Sequence, residues 1–112
     1  MSELNNMIVA ALENTKLPFT YRLYKAKEIK PPPFITYYFE REHHSGPDGY
    51  NAVYETTVVI ELYTVVKDFE LEALIESELS ENEFDKTEEY NEADEVFRIT
   101  YEFKIKLKKE RA

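Results

Sequence analysis

The chain has 112 residues, 43% of them apolar, with 23 acidic against 14 basic side chains and a formal net charge of −9. This length fits one domain that can bury its own core. Cysteine is absent, which excludes disulfides, thiol catalysis and cysteine metal sites, and no apolar stretch reaches the length of a spanning helix or matches a secretory leader. We therefore expect a single domain, without a membrane partner, made in the cytoplasm.

The charge is divided unevenly along the chain. Residues 68–95 carry 13 acidic groups against Lys86 alone, a balance of −12, whereas residues 104–112 carry five basic groups against one acidic group, a balance of +4. Binding to DNA needs cations spread over a broad face, and a short basic tail does not supply them. We therefore expect no sequence-specific contact with nucleic acid.

The first third of the chain predicts one helix and two strands. Apolar residues from Leu4 to Leu12 recur at helical spacing, and Pro18 stops propagation. Residues 19–24 alternate as a short strand, and three successive prolines stiffen the connection that follows. Residues 34–41 are dense in aromatic and β-branched side chains, which predicts the second strand.

The remaining elements follow in the same way. Residues 42–51 contain both glycines and one proline, which predicts a long hairpin loop, and residues 52–64 form the third strand. Asp68 is placed to cap a second helix with one apolar face. Residues 84–90 form a weaker strand, and residues 96–107 alternate cleanly, with Phe97, Ile99, Tyr101, Phe103, Ile105 and Leu107 facing inward.

The order of these elements predicts the fold class. Strands joined as hairpins, with two helices outside the regular alternation of parallel sheets, indicate an α+β domain over residues 1–112. We expect a mostly antiparallel sheet in the order α-β-β-β-α-β-β, with both helices packed on one face and the loop 42–51 projecting from it.

Nothing in the sequence predicts catalysis, a metal or a cofactor. The only histidines, His43 and His44, are adjacent on an extended segment, so their side chains point in opposite directions and suit a shared ion poorly. The carboxylates of residues 68–95 are spaced to face solvent, and no nucleophile elbow or glycine-rich phosphate loop is present. We expect a protein that is not an enzyme.

The aromatic content points instead to contact with other proteins. The chain has nine tyrosines and seven phenylalanines, more than one small core needs, and tyrosine is enriched at interfaces. We predict interface roles for three tyrosines and for the basic run, at Tyr38, Tyr50, Tyr54, Lys104, Lys106, Lys108 and Lys109.

Several segments, in their order along the chain, resemble the small tail-completion proteins of long-tailed phages and prophages of Gram-positive bacteria, which are tail terminators or tail-to-head joining proteins. The similarity rests on the N-terminal helix that ends near Leu17, the strand YRLY at 21–24, the segment PPPFITY at 31–37, and ELYT at 61–64. It continues with KDFE at 67–70 and a closing hairpin with YEF at 101–103. None of these segments is a catalytic signature.

The resemblance implies a subunit of the virion that closes into a ring, typically six-fold, at the head-proximal end of the tail tube. Its expected partners are copies of itself, the major tail protein and the head connector. The charged segments 68–95 and 104–112 are candidate complementary patches between neighbouring subunits. The loop 42–51 is a candidate for contact with the tube or its lumen.

One alternative remains open from the sequence. A small acidic phage protein can imitate a nucleic-acid backbone and block a basic host protein that binds DNA. Such a decoy would bind its target with strong dependence on salt.

Overall fold

The structure, a computed structural model, describes residues 2–22, 30–46 and 53–108. Within these residues the chain forms two helices and five strands in the order α-β-β-β-α-β-β, which confirms the predicted α+β class. The elements are α1 (Ser2–Glu13), β1 (Phe19–Tyr21), β2 (Phe34–Ser45), β3 (Val53–Thr64), α2 (Phe69–Glu78), β4 (Phe84–Asn91) and β5 (Val96–Lys108).

The five strands form one sheet in the order β1-β2-β3-β5-β4. Strand β1 runs parallel to β2, and every other neighbouring pair is antiparallel. The last strand of the chain is therefore inserted between β3 and β4, so that β4 and β1 lie at the two edges. The sequence did not predict this strand order.

Both helices cover the same face of the sheet. The hydroxyl of Tyr37 on β2 donates to the side chain of Asn5 on α1 at 2.7 Å, and that of Tyr101 on β5 donates to Glu76 on α2 at 2.8 Å. The core fills the space between these layers, with buried side chains from Leu4, Ile8, Leu12, Ile35, Tyr37, Val58, Ile60, Leu62, Ile75, Leu79, Ile99, Tyr101 and Phe103. We call the other face of the sheet the open face, because neither helix packs on it.

Two local predictions are confirmed by this packing. Asp68 precedes α2 and accepts a hydrogen bond from the backbone N–H of Leu71 at 3.0 Å, which satisfies a donor that the first helical turn leaves unpaired. On β5 the inward residues Ile99, Tyr101 and Phe103 are buried, as the alternation predicts.

The predicted hairpin loop over residues 42–51 is wrong in its first part. Strand β2 continues to Ser45, and residues 42–45 pair with residues 53–56 of β3. The register shifts by one residue at Glu40, between Phe39 and Arg41, and pairing then resumes. No helix or strand breaker stands between Arg41 and Gly46, and β3 offers a β-branched partner over this length, so the ladder extends. Residues 47–51 of the predicted loop, and residue 52 of the predicted third strand, lie outside the described residues.

Strand β1 is shorter than predicted. It ends at Tyr21, and the next residue, Arg22, has a φ of 70°, a left-handed conformation that cannot continue a strand. Residues 23 and 24 of the predicted strand are among those that the structure does not describe.

The three central strands extend past both edge strands. Pairing with β4 ends where Phe84 meets Phe103, and β1 pairs only with residues 35–37 of β2. The end of the sheet is therefore a three-stranded projection made of residues 41–45, 53–57 and 104–108, which we call the arm. The molecule measures 52 × 30 × 25 Å.

Candidate functional site

The three described lysines of the basic run share one side of the arm. Lys104, Lys106 and Lys108 alternate with Ile105 and Leu107, which pack against the core, so the lysines project from the open face. All three are exposed, and within the described residues none of them forms an ion pair. The fourth predicted lysine, Lys109, and the predicted tyrosine Tyr50 lie outside the described residues.

Tyr38 also lies on the open face, some distance along β2 from the lysines. Its ring is half-buried, and the guanidinium of Arg22 stands over it at 4.3 Å from the ring centre. Burial is the main cause that raises the pKa of the Tyr38 hydroxyl, and the carboxylates of Glu61 and Glu40 raise it further. The hydroxyl therefore stays neutral around pH 7.

Tyr54 is placed differently from the other predicted interface residues. It points to the helical side of the arm, is only 8% exposed, and stacks against His44 with the ring centres 5.8 Å apart. Its ring packs on the helical side of the arm, one row from the end of the described strands, and it offers little area to another protein.

A shallow aromatic groove occupies the far end of the open face. Phe34 and Tyr63 stack with their ring centres 4.8 Å apart, and the prolines Pro31 and Pro32 line one side. Arg98 closes the other side, with its guanidinium 2.6 Å from Glu89 and 3.7 Å from Glu61. The groove encloses about 920 Å³.

The groove offers contact area rather than reactive groups. Burial lowers the pKa of Arg98, but Glu89 and Glu61 outweigh it and raise the pKa overall, so the guanidinium stays charged and paired. Tyr63 likewise has a raised pKa, chiefly from burial, and is not poised to lose its proton. The sequence analysis did not select Phe34 or Tyr63, although the segments that contain them were quoted for the family resemblance.

The two histidines lie on opposite faces, as the extended chain predicts. His44 contacts Glu42 at 3.0 Å and stacks on Tyr54, whereas His43 pairs in register with Glu55 and faces the open side. In the part of the chain that the structure describes, no three acidic or histidine side chains are grouped closely enough to hold a metal ion.

A charged cluster beneath α2 is the feature that the sequence analysis missed. Glu72 was expected to face solvent, but it is 2% exposed, and its carboxylate lies 2.7 Å from Lys67 and 2.9 Å from Lys86. Lys86 also contacts Glu76 at 2.7 Å, and Glu76 accepts the hydrogen bond from Tyr101. The signal in the sequence was helical spacing, since residue 72 lies three before Ile75 and seven before Leu79 on the buried stripe.

This cluster fixes α2 to the sheet. Burial raises the pKa of Glu72, but hydrogen bonds from Lys67 and Lys86 outweigh it and hold the pKa below its ordinary value. The pKa of Lys67 is raised by its hydrogen bonds to Glu72 and Glu88, and the ionised pairs are therefore stable around neutral pH. Burial and the neighbouring Glu76 raise the pKa of Tyr101. With its groups satisfied by one another, the cluster is structural.

The acidic segment and the basic run meet at one edge of the sheet. Strand β4 carries Asp85, Glu88 and Glu89 at this edge, and the lysines of β5 continue beyond the point where β4 begins. Part of the acidity is already neutralised within the subunit, because Glu72, Glu76, Glu88 and Glu89 are all paired with basic side chains.

Comparison with protein-family models and with curated proteins finds no match to this chain. Within the described residues, neither helix combines the length and the apolar character that crossing a membrane requires.

Proposed function

We propose that this protein is a structural subunit of a phage particle, which forms a ring at the head-proximal end of the tail tube. There it ends tube growth, joins the tail to the head connector, or does both. The proposal joins the family resemblance of the sequence to a surface built for contact rather than reaction.

The observation that carries the proposal is the open face of the sheet. One side of the sheet is sealed by two helices, whereas the other presents the groove at Phe34 and Tyr63, the ring of Tyr38 and the lysines of the arm. Aromatic and arginine side chains in a shallow depression are the residues that dominate protein interfaces. A subunit that docks beside copies of itself and against a tube needs such a surface.

A ring also requires two different surfaces that fit each other on neighbouring subunits. The charged segments meet this requirement poorly, because they lie at the same edge of the sheet. We therefore assign the ring contact to the open face and to the opposite edge at β1 and β2.

The alternative function, an acidic decoy of nucleic acid, receives less support from the same surface. A decoy presents unpaired carboxylates at regular spacing, whereas Glu72, Glu76, Glu88 and Glu89 are engaged with basic side chains of their own subunit. These pairs leave the net charge of −9 unchanged, but they reduce the number of unpaired carboxylates that could imitate phosphates.

The test is genetic deletion in a prophage that carries the gene, followed by electron microscopy of induced particles. We expect tails of irregular length or tails detached from heads, with restoration by the wild-type gene and with the protein detected in purified virions. The double variant Tyr38→Ser, Tyr63→Ser should fail to restore particles. The control Phe69→Ser, which removes a 73% exposed aromatic at the start of α2, should restore them.

Two results would contradict the proposal. Normal tails of uniform length after deletion would exclude a role in tail completion. Protein that is absent from virions but retains a basic host protein at low salt would instead support the decoy.

A further inference from the structure

The edge of the sheet formed by β4 and β5 contains a notch. Strand β4 covers residues 96–103 of β5 and stops, so residues 104–108 of β5 have β3 on one side and, among the described residues, no strand on the other. Backbone N–H and C=O groups on the side of a strand that lacks a neighbour can pair with a further strand. Five residues of strand span roughly 17 Å, which is enough for most of a short strand.

The notch and the strand beside it carry opposite charges. Residues 104–108 read KIKLK and contribute +3, whereas β4 reads FDKTEEYN and contributes −2, from three acidic side chains and one lysine. Among the described strands β4 is the last of the sheet, so its outer side has no strand partner there. One subunit thus presents a basic edge segment and an acidic edge strand side by side.

We propose that two copies of this chain associate about a two-fold axis perpendicular to the sheet, with β4 of each copy filling the notch of the other. Rotation by 180° about such an axis places the acidic strand of each copy beside residues 104–108 of its partner. Both contacts form together, so the assembly closes as a dimer with one continuous sheet.

Charged side chains of the two edges also lie on the same face of the sheet. In the register of β4 with β5, Asp85 and Glu89 lie on the open face, the same face as the three lysines. A two-fold axis perpendicular to the sheet keeps the open faces of both copies on one side. The lysines of one copy therefore lie on the same face as Asp85 and Glu89 of the other, of which Glu89 is already paired with Arg98 of its own subunit whereas Asp85 has no ion pair among the described residues.

Two of the competing pairings of these edges bring like charges together, and the third offers the lysines a weaker opposite charge. Two β4 strands would oppose carboxylates, and two β5 ends would oppose lysines. Pairing of the β5 end with the free edge of β2 would place the lysines beside Glu40, Arg41 and Glu42, whose balance of −1 is weaker than the −2 of β4. Like charges in direct contact are unfavourable, so charge selects the β4 edge as the occupant of the notch.

This dimer does not depend on the proposed function in the phage tail. It uses the edge at β4 and β5 together with the arm lysines, and does not use Tyr38, the stacked rings of Phe34 and Tyr63, or the edge at β1 and β2 to which we assign the ring contact. Its test needs purified protein alone, so its failure and the failure of the tail proposal are separate results.

The test is sedimentation equilibrium of the purified chain over a range of protein and salt concentrations. We expect a reversible equilibrium between one and two subunits of 13.3 kDa, weakened by added salt. The triple variant Lys104→Glu, Lys106→Glu, Lys108→Glu should raise the dissociation constant about tenfold or more, because each dimer contains the contact twice. Circular dichroism establishes that the variant is folded.

A matched control makes the same change of charge elsewhere. Lys16→Glu, Lys30→Glu, Arg41→Glu alters three exposed basic residues outside the notch, and it should leave the dissociation constant within about twofold of the wild type.

Mixing two variants tests the two-fold geometry itself. The variant Asp85→Lys, Thr87→Lys makes the open face of β4 basic without touching the ion pairs of Glu88 and Glu89, and alone it should dimerise poorly. Mixed with the lysine-reversed variant, it should form a one-to-one dimer, because both contacts then pair opposite charges.

Three results would overturn the inference. The first is a wild-type chain that remains monomeric at its highest soluble concentration. The second is a dimer that the lysine reversal weakens no more than the control variant does. The third is a mixture of the two variants that assembles beyond two subunits. The last would indicate a head-to-tail contact instead.

Discussion

Replacing Glu72 by glutamine should destabilise the domain, although the position lies on the surface helix α2. The change preserves the size of the side chain but removes the charge that Lys67 and Lys86 approach to 2.7 and 2.9 Å. Hydrogen bonds to charged groups contribute about 1.5–3 kcal/mol each when sheltered from water. Here the side chains of Lys67 and Lys86 are 26% and 37% exposed, so solvent screens part of the gain. We therefore expect a loss of about 2–3 kcal/mol in the free energy of unfolding.

The measurement is urea unfolding at pH 7, monitored by circular dichroism. The free energy of unfolding must fall with urea concentration at the same slope in wild type and variant for the two values to be compared. The matched control is Glu70→Gln, two residues earlier on the same helix, where the side chain is exposed. The control should cost less than about 0.5 kcal/mol, as surface substitutions usually do. Equal stability of the two variants would refute the view that the cluster holds α2 to the sheet.

The same variant carries a signature in pH. Because the folded-state pKa of Glu72 lies below the ordinary value of 4.5, its contribution is fully present above pH 4.5 and is lost as the pH falls through the folded-state pKa. Glutamine does not titrate, so the difference in unfolding free energy between wild type and variant should shrink below pH 4.5. A difference in unfolding free energy that stays constant from pH 4.5 down to about pH 3 would contradict the charged pairing.

The remaining predictions concern the helix cap, the buried Tyr101, and Tyr38 and Tyr54, for which the sequence predicted interface roles. Asp68→Ala should lower the free energy of unfolding by about 1 kcal/mol because it removes the hydrogen bond to the first turn of α2, whereas Asp68→Asn should cost much less; urea unfolding compares them. Tyr101→Phe should lower the free energy of unfolding by about 1–2 kcal/mol at neutral pH. Because the folded-state pKa of Tyr101 is raised, the wild type should lose stability as the pH rises above 10.0, and the phenylalanine variant should lose less. Unfolding free energies measured over a range of pH test both effects. Tyr54→Ser should lower stability by about 3 kcal/mol and Tyr38→Ser by about 1 kcal/mol or less, because the first ring is buried and the second lies on the open face; thermal unfolding that ranks them in the reverse order would be at odds with their placement.

Local patterns in the sequence determined the class of the fold and several of its details. The cap at Asp68 follows from the hydrogen-bonding needs of one helical turn, and the inward row of β5 follows from the two-residue repeat of a strand. These features are specified within a few neighbouring residues, so they can be read from the chain before any tertiary contact is known. The two helices and five strands are determined in this way, and so are most of their bounds.

Contacts between distant segments decided the rest. Residues 42–45 read as a loop by composition, yet they continue β2 because β3 supplies a partner for them. Glu72 reads as a solvated carboxylate, yet the packing of α2 on the sheet buries it against Lys67 and Lys86. Strand order had the largest consequence, because inserting β5 between β3 and β4 brings the acidic and basic segments to one edge. Hydrogen bonding between strands is available to any extended segment, so sequence alone does not say which strands become neighbours, and only the folded sheet decides which charges meet.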